Sequence, residues 1–195
     1  MYAVCHGRSG QSAALAHGYA LVGRGSGHLR RDYLFLFRAT RHEQGTEWKM
    51  RQISKNGLEL IKRFEGFEPE IYLDAAGLPT IGYGHLIRKG EHKMFENGIS
   101  REAGEALLIK DVQAAERAVL RLIDVPLTDG QFDALVSFTF NLGGGALQRS
   151  TLRRKVNREE HDEVPREFMR WVWAGGRKLR GLIRRREAEV QLYST

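Results

Sequence analysis

The change from a short β-type pattern to a long helical pattern is the feature of this sequence that most constrains its fold. Two short apolar stretches, residues 71–73 and 79–84, lie on either side of a turn that contains Gly77. This arrangement predicts a small β-hairpin or meander. Because a hairpin of this size cannot hold a hydrophobic core of its own, we expect it to pack against a helical body. The sequence therefore predicts an α+β, predominantly helical domain with two lobes, a small N-terminal β-hairpin or sheet, and a cleft between the lobes.

Helical patterns lie on both sides of the predicted hairpin. Before it, Leu58, Ile61 and Phe64 recur at spacing three, which predicts a short amphipathic helix that ends near Gly66. After it, Ser100 is a candidate N-cap for a longer helix. The apolar face of that longer helix is formed by Leu108, Val112, Ala115, Val119 and Leu122.

Capping residues and glycines delimit the remaining helices. Thr128 and Gln131 have the spacing of a capping box, and the glycines at 143–145 predict where that helix ends. Two further helices are predicted, one over residues 165–173 and a last one over about residues 179–192.

Composition and charge narrow the class of protein. Cys5 is the only cysteine, which excludes an intramolecular disulfide and a cysteine-based zinc site. The formal net charge of +7 is unevenly distributed, because residues 1–49 carry +4, residues 50–148 carry −3 and residues 149–195 carry +6. Basic ends attract polyanions such as nucleic acid, anionic lipid or a bacterial wall, and charge alone does not choose among them.

Two carboxylic residues stand where a pair of acid and base groups is expected. Glu65 lies between Phe64 and Phe67 at the end of the first predicted helix, an apolar setting that favours a protonated carboxyl. Asp74 lies in the hairpin turn, a polar setting that favours an ionised carboxylate. Cleavage of a glycosidic bond requires such a pair, with one carboxyl on each side of the bond. Taken alone the pattern is ambiguous, because Asp is also common in turns for structural reasons.

The residues around this pair extend the pattern. Glu65 is followed after eight residues by Asp74, after five more by Thr80, and then by Ile81-Gly82-Tyr83-Gly84-His85. Matching segments follow at residues 129–135, 140–143, 150–152 and within 171–187. This arrangement closely resembles the phage-type lysozymes, the endolysin or muramidase family (glycoside hydrolase family 24), over roughly residues 50–195.

The resemblance implies a lysozyme-like two-lobed fold and a defined reaction. An enzyme of this kind hydrolyses the β-1,4 bond between N-acetylmuramic acid and N-acetylglucosamine in bacterial peptidoglycan and so lyses the host cell. By the resemblance, Glu65 is the general acid, and Asp74 with Thr80 positions the attacking water. Family precedent favours inversion at the sugar carbon. No cofactor and no metal are expected.

Three further residues, His85, Phe140 and Asn141, are expected to bind substrate at the cleft. His85 has a structural alternative, in which it anchors the hairpin to the helical body, and Phe140 has an alternative place in the core. Trp171 and Trp173 are two residues apart and so lie on different faces of a predicted helix. One of them is expected in the core and the other at the edge of the cleft.

The cluster Arg184-Arg185-Arg186 allows two interpretations: a solvated helix face, or a face that is attracted to the anionic wall or inner membrane. A basic nucleic-acid-binding protein is an alternative function, but these arginines belong to no recognisable reading motif. A wall-binding protein with a degenerate lysozyme site is another. That alternative requires a missing catalytic residue, and Glu65, Asp74 and Thr80 are all present.

The resemblance also sets expectations for partners and domains. We expect peptidoglycan as substrate, a holin for release, no nucleic acid and a monomeric chain, which accumulates in the host cytoplasm and acts on the wall in the periplasm. Residues 1–49 hold seven glycines and four histidines and show no lasting helical or strand period. We expect them to be a disordered or non-native extension, with a weak export or tethering segment as the alternative, and residues 50–195 to form the catalytic domain.

A protein that begins at Met50 is expected to be as soluble and as active as the full chain, because regular patterning starts only there. Solubility on expression and the rate at which turbidity of a wall suspension falls check this expectation. Aggregation or loss of lysis in the shortened protein would show that the first 49 residues belong to the fold.

Overall fold

The computed structural model describes residues 51–74 and 76–195, and the expectation for residues 1–49 lies outside this part of the chain. The helices are α1 (Lys55–Glu65), α2 (Arg101–Leu122), α3 (Asp129–Leu142), α4 (Gly144–Arg149), α5 (Thr151–Asn157), α6 (Val164–Phe168) and α7 (Arg180–Tyr193). The strands are β1 (Glu68–Leu73), β2 (Pro79–Gly82), β3 (His85–Leu86), β4 (Trp173–Ala174) and β5 (Arg177–Lys178). Short 3₁₀ turns lie at His92–Met94 and His161–Glu163.

The predicted helix caps are confirmed. The Ser100 side chain accepts a hydrogen bond from the backbone N–H of Ala103 at the start of α2. Thr128 and Gln131 form a reciprocal capping box at the start of α3. That helix ends at Gly143, whose φ of 85° lies in the left-handed region that glycine adopts without strain.

The β lobe depends on the helical body, as its size predicts. Strands β1, β2 and β3 form one antiparallel sheet in that order, with Tyr72 opposite Thr80 and Thr80 opposite Leu86. Its small apolar cluster consists of Ile81, Ile87 and Phe95, with Ile71, Ile99 and Leu107 packed against it. Because Leu107 belongs to α2, this long helix closes the cluster and joins the two lobes.

Helix α3 is the centre of the larger lobe. Phe132, Leu135, Val136 and Phe138 on this helix are at most 1% exposed. Helices α1, α2 and α7 all pack against it, so the ends of these helices are fixed relative to one another. The N-terminal end of α1 is also held by buried Asp133, which accepts hydrogen bonds from the backbone N–H and the hydroxyl of the N-cap residue Ser54.

The region after α3 differs from the prediction. Helices α4 and α5 were not anticipated, and the helix predicted over 165–173 ends at Phe168. Trp173 lies instead on a two-stranded hairpin whose turn, Gly175-Gly176, has positive φ at both glycines. The assumption of a helix that carries both tryptophans was therefore wrong. Trp171 packs edge-to-face on Phe138 at 5.4 Å, whereas Trp173 is 57% exposed.

Within residues 51–74 and 76–195, no helix has the length and apolar character needed to span a membrane.

Replacing Gly57 by Ala is expected to destabilise the fold by about 1–3 kcal/mol, as overpacking of a filled interior does. An added Cβ would lie 2.6 Å from Ile53 Cγ1 and 2.7 Å from Asp133 Cβ, where α1 meets α3. Gly181→Ala is the matched control, because its Cβ would meet nothing within 4 Å. Urea denaturation of both variants checks this, and equal stability of the two proteins would contradict the assigned packing.

Candidate active site

Glu65 stands at the junction of the two lobes. It is the last residue of α1, and the backbone N–H of Gly66 donates to Lys62 O at 3.1 Å, which ends the helix. The φ of Gly66 is 74°, so the chain turns sharply there into β1. The Glu65 side chain is 24% exposed. A Cβ on Gly84, in the β2–β3 turn, would lie 3.9 Å from Glu65 Oε2, so this turn lies beside the carboxylate.

Asp74 is held by its own turn. Its Oδ1 accepts hydrogen bonds from the backbone N–H groups of Ala76 at 2.8 Å and Leu78 at 2.9 Å. Its backbone N–H donates to Leu78 O at 2.9 Å and closes the turn between β1 and β2. Both side-chain bonds use Oδ1, and within the described residues Oδ2 accepts no hydrogen bond. The turn therefore orients the carboxylate and leaves one oxygen for another partner.

Thr80 and Asp74 both form a side-chain hydrogen bond with the backbone of Leu78. Its hydroxyl donates to Leu78 O at 3.0 Å, while Asp74 Oδ1 accepts from the N–H of the same Leu78 residue. Thr80 is only 3% exposed, so its neighbours cover almost the whole residue. The two side chains are thus fixed to one another through a single residue of the turn.

The charges of both carboxylates act on Tyr72, which sequence reasoning did not predict. Burial raises the pKa of its phenol above the ordinary value, and the negative charges of Glu65, Asp74 and Glu68 raise this pKa further. Such an effect requires that the charges lie near the phenol. Tyr72 is also the cross-strand partner of Thr80 in the sheet, and its 36% exposed ring lies at the surface.

Arg185 is the cation of the site, and sequence reasoning missed this role as well. Its Nη1 lies 2.6 Å from Glu65 Oε1, and the arginine itself is only 4% exposed. The guanidinium also lies 3.4 Å from Ser137 O and 3.4 Å from Glu189 Oε1. The apolar setting predicted for Glu65 therefore contains a fixed positive charge on one side of the carboxylate.

A buried charge cluster continues from Arg185 into the core. Glu189 is fully buried and accepts a hydrogen bond from the Ser137 hydroxyl at 2.8 Å. Arg186 is fully buried too, with its Nε 2.9 Å from Glu189 Oε2. Burial lowers the pKa of Arg186 to about 10, which leaves it charged at neutral pH. Both interpretations of Arg184-Arg185-Arg186, a solvated face or a docking face, are therefore wrong for Arg185 and Arg186, because α7 turns these two inward.

The three predicted substrate-binding residues lie in different settings. His85 Nδ1 lies 2.8 Å from Asp111 Oδ2 on α2, and its ring packs edge-to-face on Phe95, a geometry that favours the anchoring interpretation. Phe140 is partly buried and packs against the main core. Asn141 lines the same cavity as Glu65, and its Oδ1 accepts a hydrogen bond from Arg186 at 3.0 Å. Their roles in binding stay predictions.

A cavity of about 550 Å³ opens beside Glu65. The residues that line it come from α1, the end of α3 and the start of α7: Arg63, Phe64, Glu65, Asn141, Leu179, Gly181, Leu182, Arg184 and Arg185. Within the part of the chain that the structure describes, no group of three or more His, Cys, Asp or Glu side chains is arranged to hold a metal ion.

Arg185→Gln is expected to lower the free energy of unfolding by about 3 kcal/mol, the lower end for a broken buried ion pair, because its Glu65 end is partly exposed. Arg184→Gln makes the same chemical change at the adjacent exposed position and is expected to stay within about 0.5 kcal/mol of the parent. Chemical denaturation measures both variants. Similar stability of the two would mean that Arg185 contributes no more than a surface charge.

Comparisons with known proteins identify the family of this chain. The Phage lysozyme family model matches residues 62–189. The endolysin of Bacillus phage B103 is 41% identical over 145 residues, which cover 73% of this chain and 54% of the relative. The endolysin of Acyrthosiphon pisum secondary endosymbiont phage 1 is 39% identical over 148 residues, which cover 73% of this chain and 98% of the relative. The chain thus spans about half of the first relative and nearly all of the second.

Solved structures give the same result. The muramidase domain of SpmX from Asticaccaulis excentricus is 38% identical with a TM-score of 0.66, and the match covers 74% of this chain and 99% of that domain. The endolysin from Escherichia coli O157:H7 phage FAHEc1 is 37% identical with a TM-score of 0.64, and the match covers 74% of this chain and 94% of that one. This chain has the lysozyme fold and belongs to the phage lysozyme family.

Proposed function

We propose that this chain is an endolysin that hydrolyses the β-1,4 bond between N-acetylmuramic acid and N-acetylglucosamine in bacterial peptidoglycan. The observation that carries the proposal is the arrangement of two carboxylates at the small sheet: Glu65 lies beside the β2–β3 turn, and the Asp74 carboxylate is oriented by the β1–β2 turn of the same sheet. Glycosidases use a pair of carboxyl groups at the scissile bond. The family supports glycosidase chemistry, and the bond and the residue roles are our proposal.

Glu65 is the general acid in this proposal. Arg185 engages Oε1 at 2.6 Å, so Oε2, on the side of Gly84, remains for the leaving oxygen. Proton transfer from Glu65 to that oxygen accompanies breakage of the glycosidic C–O bond. The Glu65 carboxylate that remains keeps its ion pair with the Arg185 guanidinium.

Asp74 and Thr80 position the attacking water. Asp74 Oδ2 accepts a proton from that water while the water oxygen forms the new bond to the sugar carbon. The Thr80 hydroxyl donates to Leu78 O, so its oxygen keeps lone pairs that can accept from the same water. A water that attacks from the face opposite the leaving group inverts the sugar carbon. Inversion is part of the proposal.

The place of action is part of the same proposal. A relative at 37% identity, from Escherichia phage Mu, is named a SAR-endolysin. We propose that this chain accumulates in the host cytoplasm, acts as a monomer on the wall in the periplasm after release, and uses a holin as its release partner.

Glu65→Gln and Asp74→Asn are each expected to lower the rate of wall hydrolysis by about 10²–10⁴-fold, the usual contribution of general acid–base catalysis. Both changes keep the side-chain shape, and an Asn oxygen can still accept the turn hydrogen bonds at position 74. Glu68→Gln, an exposed carboxylate on β1, is the matched control. Turbidity loss of purified walls measures all three. If Glu65→Gln keeps more than about a tenth of the activity, Glu65 is not the acid.

A further inference from the structure

A short exposed hairpin precedes α7. Strands β4 and β5 form it, and every residue over 173–178 is exposed. Its base is anchored, because the backbone N–H of Leu179 donates to Val172 O at 3.0 Å and Val172 is only 3% exposed. Its tip is open, since a Cβ added at Gly175 or Gly176 would meet nothing within 4 Å. The hairpin therefore projects into solvent from a fixed base.

The hairpin presents an aromatic ring beside a positive charge. Trp173 is 57% exposed, and its cross-strand partner is Lys178, whose Nζ lies 5.3 Å from the centroid of the indole ring. An indole is apolar apart from one N–H group, and a lysine has an apolar stem with a charged end. Side chains of this kind suit the boundary between the lipid headgroups and the acyl chains of a membrane.

The chain around the hairpin carries positive charge and no acid. Arg177 and Lys178 on β5 and Arg180 at the start of α7 are exposed. Residues 168–186 contain no Asp or Glu. Surface charges act over about 8–10 Å at ordinary ionic strength, so exposed cations this close together attract a polyanionic surface jointly. The hairpin and its flank therefore combine an exposed ring with a basic surface.

We propose that this hairpin docks the protein on an anionic phospholipid bilayer, with the Trp173 ring at the headgroup boundary and the three cations against the lipid phosphates. The inference goes beyond the proposed function, because it concerns where the protein is held and not which bond it cleaves. Basic residues near an anionic leaflet are attracted to it, and insertion of apolar surface adds to this attraction.

A bilayer accounts for both features of the hairpin. A wall phosphate polymer matches the cations but offers the ring no apolar layer to enter. A nucleic acid matches the cations and stacks its bases on aromatic faces, but Lys178 already lies over the Trp173 ring. Docking on a membrane would also hold the protein beside the wall on which we propose that it acts.

The test measures partition of the full chain into vesicles of phosphatidylcholine alone and into vesicles that also contain phosphatidylglycerol. Lys178→Gln removes one cation of the hairpin, and Trp173→Ala removes the ring. Lys110→Gln on α2 and Met94→Ala in a 3₁₀ turn are the matched controls, because both residues are exposed and lie outside the hairpin. Because all four side chains are exposed, we expect each variant to keep the parent's midpoint of urea unfolding.

We expect the full chain to bind the vesicles that contain phosphatidylglycerol more tightly than those of phosphatidylcholine alone. Lys178→Gln is expected to lower the partition coefficient about fivefold, as for one cation at an anionic surface. Trp173→Ala is expected to lower it about tenfold, the low end for burial of a large apolar side chain. Both controls are expected to stay close to the parent. Equal losses in Lys178→Gln and Lys110→Gln would assign the binding to overall charge and overturn the proposal, as would an unchanged coefficient in Trp173→Ala.

Fluorescence quenching tests the position of the indole directly. In a Trp48→Phe background, phospholipids brominated on their acyl chains are expected to quench the emission of Trp173. They are expected to leave the emission unquenched when Trp173→Phe is added, because Trp171 packs against Phe138 in the core. The same quenching in both proteins, or quenching in neither, would overturn the proposal.

Competing polyanions give the last comparison. Duplex DNA and poly(glycerol phosphate) are added to the vesicle-bound protein. Tighter binding to either polymer than to the vesicles, with no effect of Trp173→Ala, would assign this face to a polyanion and overturn membrane docking. Weaker binding to both polymers supports the proposal. None of these measurements requires hydrolysis, so their outcome does not depend on whether the chain cleaves peptidoglycan.

Discussion

The ion pair between Glu65 and Arg185 is the contact on which the architecture of the site depends. It joins the end of α1 to α7 at 2.6 Å, and Arg185 is held in turn by Ser137 of α3 and by Glu189. A buried charge is tolerated only when it is paired and hydrogen-bonded. The helices that supply the pairs must therefore keep their relative positions. The candidate acid is in this way fixed by the core of the larger lobe.

Asp74 is fixed by a different kind of constraint. Its turn is closed by hydrogen bonds to Ala76 and Leu78, and these are interactions between near neighbours in sequence. The β lobe that carries this turn relies on α2 to complete its apolar cluster. The two carboxylates are thus held by different parts of the fold, Glu65 by the larger, helical lobe and Asp74 by the β lobe. The negative charges of both carboxylates raise the pKa of the Tyr72 phenol on β1.

The arginines in the basic C-terminal part of the chain lie in two different environments, and the sequence does not distinguish them. Arg185 and Arg186 are internal and neutralise Glu65 and Glu189, whereas Arg184 is exposed at the cavity. Three consecutive arginines on one helix point in different directions, because successive residues are rotated by about 100°. The net charge of +6 over residues 149–195 is therefore not the charge of one face.

The sequence by itself determined what depends on near neighbours: the caps of α2 and α3, the small sheet, and the spacing that nominated Glu65, Asp74 and Thr80. It did not indicate the hairpin at 173–178, which two glycines with positive φ make possible. Only the tertiary structure decided that Arg185, 120 residues from Glu65, is its partner. The physical reason is that burial and pairing of charges are set by which helices pack together, and no local pattern carries that information.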